Sequence, residues 1–165
     1  MRLYLAGIMQ QYRRSGAADD AMKKLLSTSA PTAVLLVRLL VGAVFLSEGI
    51  QKFLFPLEVG AGRFEKIGFG SPELVAQFVA CFEIIGGSLV LLGLATRAAV
   101  IPLMIIMLTA IVTTKIPILQ QQGFWKMAHE ARTDWAMLLG SVFLLIVGAG
   151  KWSLDARIVR RLSEP

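Results

Sequence analysis

The sequence is poor in the residues that carry most soluble-protein chemistry. It has a single cysteine, Cys81, and a single histidine, His129. One thiol makes no intramolecular disulfide and no CxxC redox pair. One histidine excludes bis-histidine haem ligation within the chain, and the absence of a Cys/His cluster leaves no zinc pattern. No metal site is therefore expected. Charge is scarce too: Asp, Glu, Lys and Arg make up 17% of residues, against about 25% in soluble domains. Cys81 lies inside an apolar run and reads as a packed core residue. His129 lies in a polar connection and reads as a surface residue.

What the chain has instead is apolar length. Hydrophobic residues make up 56% of its 165 positions, and the mean hydropathy is +0.68. A membrane-spanning helix needs about 20 mostly apolar residues. Four stretches qualify: Pro31 to about Phe55, Pro72 to about Leu94, Ala98 to about Ile116 or Leu119, and Trp135 to about Gly150. The segment "EVGAGRFEKIGFGSP" between the first two carries turn chemistry. Only "GLATR" separates the second from the third, so those two are antiparallel neighbours. The connection "QQQGFWKMAHEARTD" is polar, with Phe124 and Trp125 suited to a membrane interface. The expected fold is all-α: a four-helix transmembrane bundle, residues 31–155, with an N-terminal amphipathic segment, residues 1–30, and a basic tail, residues 156–165. Leu5, Ile8, Met9 and Tyr12 recur at helical spacing, which fits a short helix lying on the membrane. A signal peptide fits less well, because "LYLAGIM" is short and precedes a longer polar stretch.

The formal net charge of +6 comes from Lys and Arg at the edges of apolar runs. That placement indicates topogenic charge beside anionic lipid, not a nucleic-acid surface. Ten Lys and Arg residues fall in the two terminal segments and the second connection, and six fall on the opposite side. The positive-inside rule then puts both termini in the cytoplasm.

Three charges lie within the apolar runs: Arg38, Glu48 and Glu83. A charge at the bilayer centre costs about 2.5–3.5 kcal/mol on insertion scales and usually faces a partner inside the protein. At 100° per residue, Arg38, Gly42, Phe45, Glu48, Gly49 and Lys52 share an arc of roughly 120°. Glu83 shares a face with Ala76, Ala80 and Gly87. Small residues let helices approach closely, so both faces should point into the bundle. With Phe53 and Pro72 taken as the outer ends of their helices, the rise of 1.5 Å per residue puts Arg38 roughly 22 Å and Glu83 roughly 16 Å below that level. Arg38–Glu83 is thus the expected buried pair, with Lys52 the nearest partner of Glu48. Such a pair either fixes helix register, handles a proton near a quinone, or lines a small-molecule cavity. Asp134 is expected to cap the fourth helix, and Lys115 to snorkel toward the interface.

Taken together, "RLLVGAVFLSEGIQKF" (Arg38–Phe53), "ACFEIIGGSLVLLGLATR" (Ala80–Arg97) and "GAGKWSLD" (Gly148–Asp155) resemble the DoxX family of bacterial inner-membrane proteins. The resemblance covers roughly Val34 to Asp155. It implies a four-helix inner-membrane protein, some of whose relatives serve as subunits of quinone-linked oxidoreductases, including thiosulfate-oxidising ones. It carries over Arg38, Glu48, Gln51, Lys52, Glu83, Gly86, Gly87 and Asp155 as site or packing positions, beside Gly42 and Gly49. Some relatives have a histidine in the third helix; this chain offers Thr113, Thr114 and Lys115. The expectation is a redox-associated membrane subunit that binds a quinone, with electrons from a redox partner protein or the quinone pool. The alternative is a non-enzymatic assembly factor or small-molecule carrier. Membrane lipid is an expected partner, nucleic acid is not, and a homo-oligomer stays open. No catalytic residue is assigned.

Overall fold

The computed structural model describes residue 20 and residues 32–163. The expected surface helix around Leu5–Tyr12 lies outside the described residues. Among the described residues all regular structure is helical: α1 (Val34–Leu54), α2 (Ala61–Ile67), α3 (Pro72–Leu92) and α4 (Thr96–Ala110) come first. A π-helical segment (Ile111–Lys115) then runs into α5 (Ile116–Gln122), and α6 (Phe124–Glu130), α7 (Arg132–Val147) and α8 (Leu154–Ser163) complete the order. The chain is an all-α membrane protein. Among the described residues, three continuous helices are long and apolar enough to cross a bilayer: α1, α3 and the run Thr96–Gln122 of 27 residues. The fourth bundle helix, α7, has 16 residues and so measures about 24 Å.

The bundle forms because small residues sit where helices touch. A Cβ on Gly42 would lie 2.9 Å from the Gly87 carbonyl oxygen, and one on Gly49 would lie 2.8 Å from that of Ala80. The α1 and α3 backbones therefore lie in direct contact along two turns. Gly86 faces the other way and receives the Leu103 side chain of α4. Val41, Phe45, Val90, Val100, Leu103 and Leu144 fill the fully buried centre. The large side chains on the opposite faces, such as Leu36, Leu74, Ile85 and Ile146, are exposed. In water such a surface would be unstable; against lipid tails it is the expected solvent contact.

Cys81 is exposed on this lipid-facing side, not packed in the core. Its neighbour Ala80 is the buried one, because one residue along a helix turns the side chain by 100°.

The end of the bundle nearest α8 is tied by Arg38. Its Nε donates to the Val90 carbonyl at 2.9 Å and its Nη2 to that of Leu91. Nη1 donates to the carbonyls of Ala149 (3.2 Å) and Trp152 (2.6 Å). The Val90 and Leu91 carbonyls belong to the last turn of α3, where regular i+4 donors run out; Val90 accepts the N–H of the cap residue Gly93 at 3.1 Å and has a lone pair for a second donor. Arg38 supplies that donor and at the same time pins the segment after α7. Gly93, in the left-handed region at φ 66°, ends α3; a Cβ there would meet Arg38 Cζ at 2.6 Å. Asp155 completes this end. Its carboxylate accepts the backbone N–H groups of Ala95 (2.6 Å) and Thr96 (3.1 Å) at the start of α4. Asp155 thus caps a helix about 60 residues away in sequence.

The expected Arg38–Glu83 pair does not form. Gly42 lies against Gly87, and Arg38 reaches Leu91. This register puts Glu83 level with Leu46, eight residues or about 12 Å from Arg38. Measuring depth from the helix ends treats Phe53 and Pro72 as level. The glycine contacts slide α3 by about one turn relative to that assumption, which doubles the gap.

Candidate functional site

Glu83 is held instead by Lys52, whose Nζ lies 2.6 Å from Glu83 Oε2. The two side chains are 8% and 2% exposed, so both partners are buried. Lys52 also lies 3.8 Å from Glu48 Oε2, whose side chain is half exposed. The polar face of α1 is therefore divided. Its Arg38 end is consumed by backbone carbonyls, and its Lys52 end meets carboxylates. Gln51 stands apart: its amide donates to Ser47 Oγ at 2.9 Å on the same helix.

A second ion pair occupies the same end of the bundle. Lys115 Nζ lies 3.1 Å from Asp134 Oδ2, with side chains 10% and 16% exposed. Lys115 therefore does not snorkel, and Asp134 makes no capping hydrogen bond to the α7 backbone. The cause is local. Pro117 has no N–H to continue the helix, and the N–H of Ile116 bonds to the Ile111 carbonyl, five residues back. This wider turn rotates the downstream residues relative to a regular α-helix, and Lys115 faces inward.

Both pairs line one cavity of about 540 Å³. Helices α1 and α3 contribute Glu48, Lys52 and Glu83 to its lining; α4, the π segment and α7 contribute Thr109, Thr113, Lys115 and Asp134. Phe64, Phe69 and Phe78 provide apolar surface, and Arg63 of α2 adds a cation. Glu130 of α6 also lines the cavity; a hydrogen bond from Lys126 holds its carboxyl below the usual carboxylate range. The lining carries three cations (Lys52, Arg63, Lys115) and four carboxylates (Glu48, Glu83, Glu130, Asp134). Thr113 and Thr114 donate their hydroxyls back to the Thr109 and Ala110 carbonyls, so their oxygen lone pairs are left as acceptors. The size and mixed lining are those of a small-molecule site. Among the described residues no cluster of His, Cys, Asp and Glu could hold a metal ion.

Of the residues singled out in the sequence, Glu48, Lys52 and Glu83 meet in this cavity. Arg38 and Gln51 are not among its lining residues, and Gly42, Gly49, Gly86 and Gly87 are at helix contacts. Sequence reasoning misses Lys115 and Asp134, for which it suggests an interfacial lysine and a cap. The signal that finds them is the partner rule for intramembrane charge: Lys115 ends a long apolar run, and the next carboxylates at that end are Glu130 and Asp134.

A multi-pass helical membrane protein with a charged cavity between its helices is the class these features define. The chain belongs to the DoxX family, whose profile matches residues 33–116. It is 51% identical over 153 residues to "Uncharacterized membrane protein Rv3486" of Mycobacterium tuberculosis (strain ATCC 25618 / H37Rv), covering 89% of this chain and 94% of that one. It is 30% identical over 131 residues to "Putative oxidoreductase CatD" of Bacillus subtilis (strain 168), covering 79% of this chain and 90% of that one. No solved structure gives a significant match.

Proposed function

We propose that this protein is a quinone-linked membrane subunit of a redox system, and that the cavity between α1, α3, α4 and α7 holds the quinone head group. The observation that carries the reading is the buried Lys52–Glu83 pair opening onto a partly aromatic cavity. An ammonium there donates to a quinone oxygen, and the adjacent carboxylate exchanges the proton that accompanies its reduction. Electrons come from a redox partner protein; the cavity side chains supply only binding and proton handling. The likeness to a protein named as an oxidoreductase supports the same class of chemistry. The lining also favours a neutral ligand. With three cations against four carboxylates, it offers no net positive field for a small dianion such as thiosulfate.

The proposed setting is the bacterial inner membrane with both termini cytoplasmic. Lys52 and Lys115 are held in ion pairs inside the bundle. Removing them from the loop tally lowers the opposite side from six Lys and Arg to four, while the terminal side keeps ten. A C-terminal reporter active only in the periplasm overturns this orientation.

The function is tested by equilibrium dialysis of tetramethyl-1,4-benzoquinone against the purified protein in nanodiscs. Saturable binding that weakens in Glu83→Gln supports the reading. Absence of saturable binding to the wild-type protein sinks it and leaves a non-enzymatic assembly role.

A further inference from the structure

The quinone reading rests on the ion pair Lys52–Glu83; the cavity holds a second ion-paired lysine, Lys115. Resting on that reading, we propose that Lys115 and Asp134 form its second polar pole. The site then takes a flat neutral ring with two oxygens at opposite ends: a para-quinone in preference to an ortho-quinone.

Four observations carry this. First, the pairs come from different helices that line the same cavity, Lys52 and Glu83 from α1 and α3, Lys115 and Asp134 from the π segment and α7. Second, apolar surface from Phe64, Phe69 and Phe78 lines the same cavity, which suits a ring bridging the poles. Third, an ammonium has three N–H donors. The hydrogen-bonding and ion-pair partner found for Lys115 among the described residues is Asp134, at 3.1 Å, which leaves donors for a ligand oxygen. Fourth, Lys115 is brought inward by a π turn, a departure from regular helix that concentrates at functional sites. A lysine with no task in the cavity would need only a regular turn to reach the interface. An ortho-quinone presents both oxygens on one edge and engages one pole, leaving the other ammonium to its own carboxylate.

The test compares tetramethyl-1,4-benzoquinone with its 1,2-isomer by equilibrium dialysis against the protein in nanodiscs. Ring methylation blocks addition by lysine or Cys81. The wild-type protein should bind the para isomer about tenfold more tightly or better, the difference made by one charge-assisted hydrogen bond. The double variant Lys115→Met/Asp134→Leu removes the pole without stranding a charge and should lose that preference. Equal affinity of the wild-type protein for the two isomers overturns the two-pole site while leaving the quinone reading intact. So does a double variant that keeps the preference. No binding of either isomer by the wild-type protein overturns both. If the double variant fails to fold, as its melting temperature would show, the wild-type ratio decides, with Lys115→Gln/Asp134→Asn as the second variant.

Discussion

Lys52 Nζ lies 2.6 Å from the Glu83 carboxylate and 3.8 Å from that of Glu48. One buried cation therefore serves two acids of unequal burial, and its loss is felt more than the loss of either acid.

This asymmetry fixes the order of mutational effects. Lys52→Met leaves the Glu83 carboxyl buried without its ion-pair partner and should cost about 3–5 kcal/mol, the range for a broken buried pair. Glu83→Leu leaves Lys52 beside Glu48 and should cost less. The double variant Lys52→Met/Glu83→Leu should recover most of the stability. Thermal unfolding in detergent ranks the three; a double variant as unstable as Lys52→Met would contradict the pairing.

Arg38 should tolerate no replacement, including lysine. Its guanidinium reaches four carbonyls on two separate segments. An ammonium is a compact point charge without that planar fork. Arg38→Lys should lose about 3 kcal/mol or more by the scale of buried charged hydrogen bonds. Gly93→Ala should be similarly disruptive, since its methyl would fall 2.6 Å from Arg38 Cζ. Expression level and melting temperature check both.

Asp155 and Ala95 should shift stability in opposite directions. Asp155→Ala removes the acceptor for two N–H groups at the start of α4, a cap worth about 1–2 kcal/mol. Ala95 is held at φ 48°, a region that costs an alanine roughly 1–2 kcal/mol. Ala95→Gly should therefore raise the melting temperature, and a fall would show that the strain is not relieved there.

Adjacent positions on α3 should differ sharply. Cys81 faces lipid, so Cys81→Leu should change stability by about 0.5 kcal/mol or less. Ala80 is fully buried with its backbone against Gly49. Ala80→Leu should push α1 and α3 apart and abolish folding. Size-exclusion profiles separate the outcomes.

The helices and the inward face of α1 are legible in the sequence because hydropathy and 3.6-residue periodicity act within one segment. Glu48, Lys52 and Glu83 stand out because charge in an apolar run announces itself. What the sequence conceals is relative placement. The slide of α3 against α1 depends on which glycines face each other, and one turn of slide exchanges Arg38 for Lys52 as the partner of Glu83. The inward turn of Lys115 depends on a π-helical hydrogen bond that regular periodicity does not contain. The closing motif "GAGKWSLD" is visible as a resemblance, but Asp155 binding at Ala95 and Thr96 requires the folded bundle.

The carbonyls that hold Arg38 have a consequence for biogenesis. Two of them, on Ala149 and Trp152, lie 111 and 114 residues later in the chain. During synthesis α1 enters the bilayer long before those acceptors have been translated. The guanidinium must be sheltered meanwhile, by the lipid headgroups it can reach or by the insertion machinery, and it locks only when the last helix arrives. A truncated or stalled chain would leave that charge exposed within the membrane, a ready mark by which quality control distinguishes an unfinished molecule from a completed one.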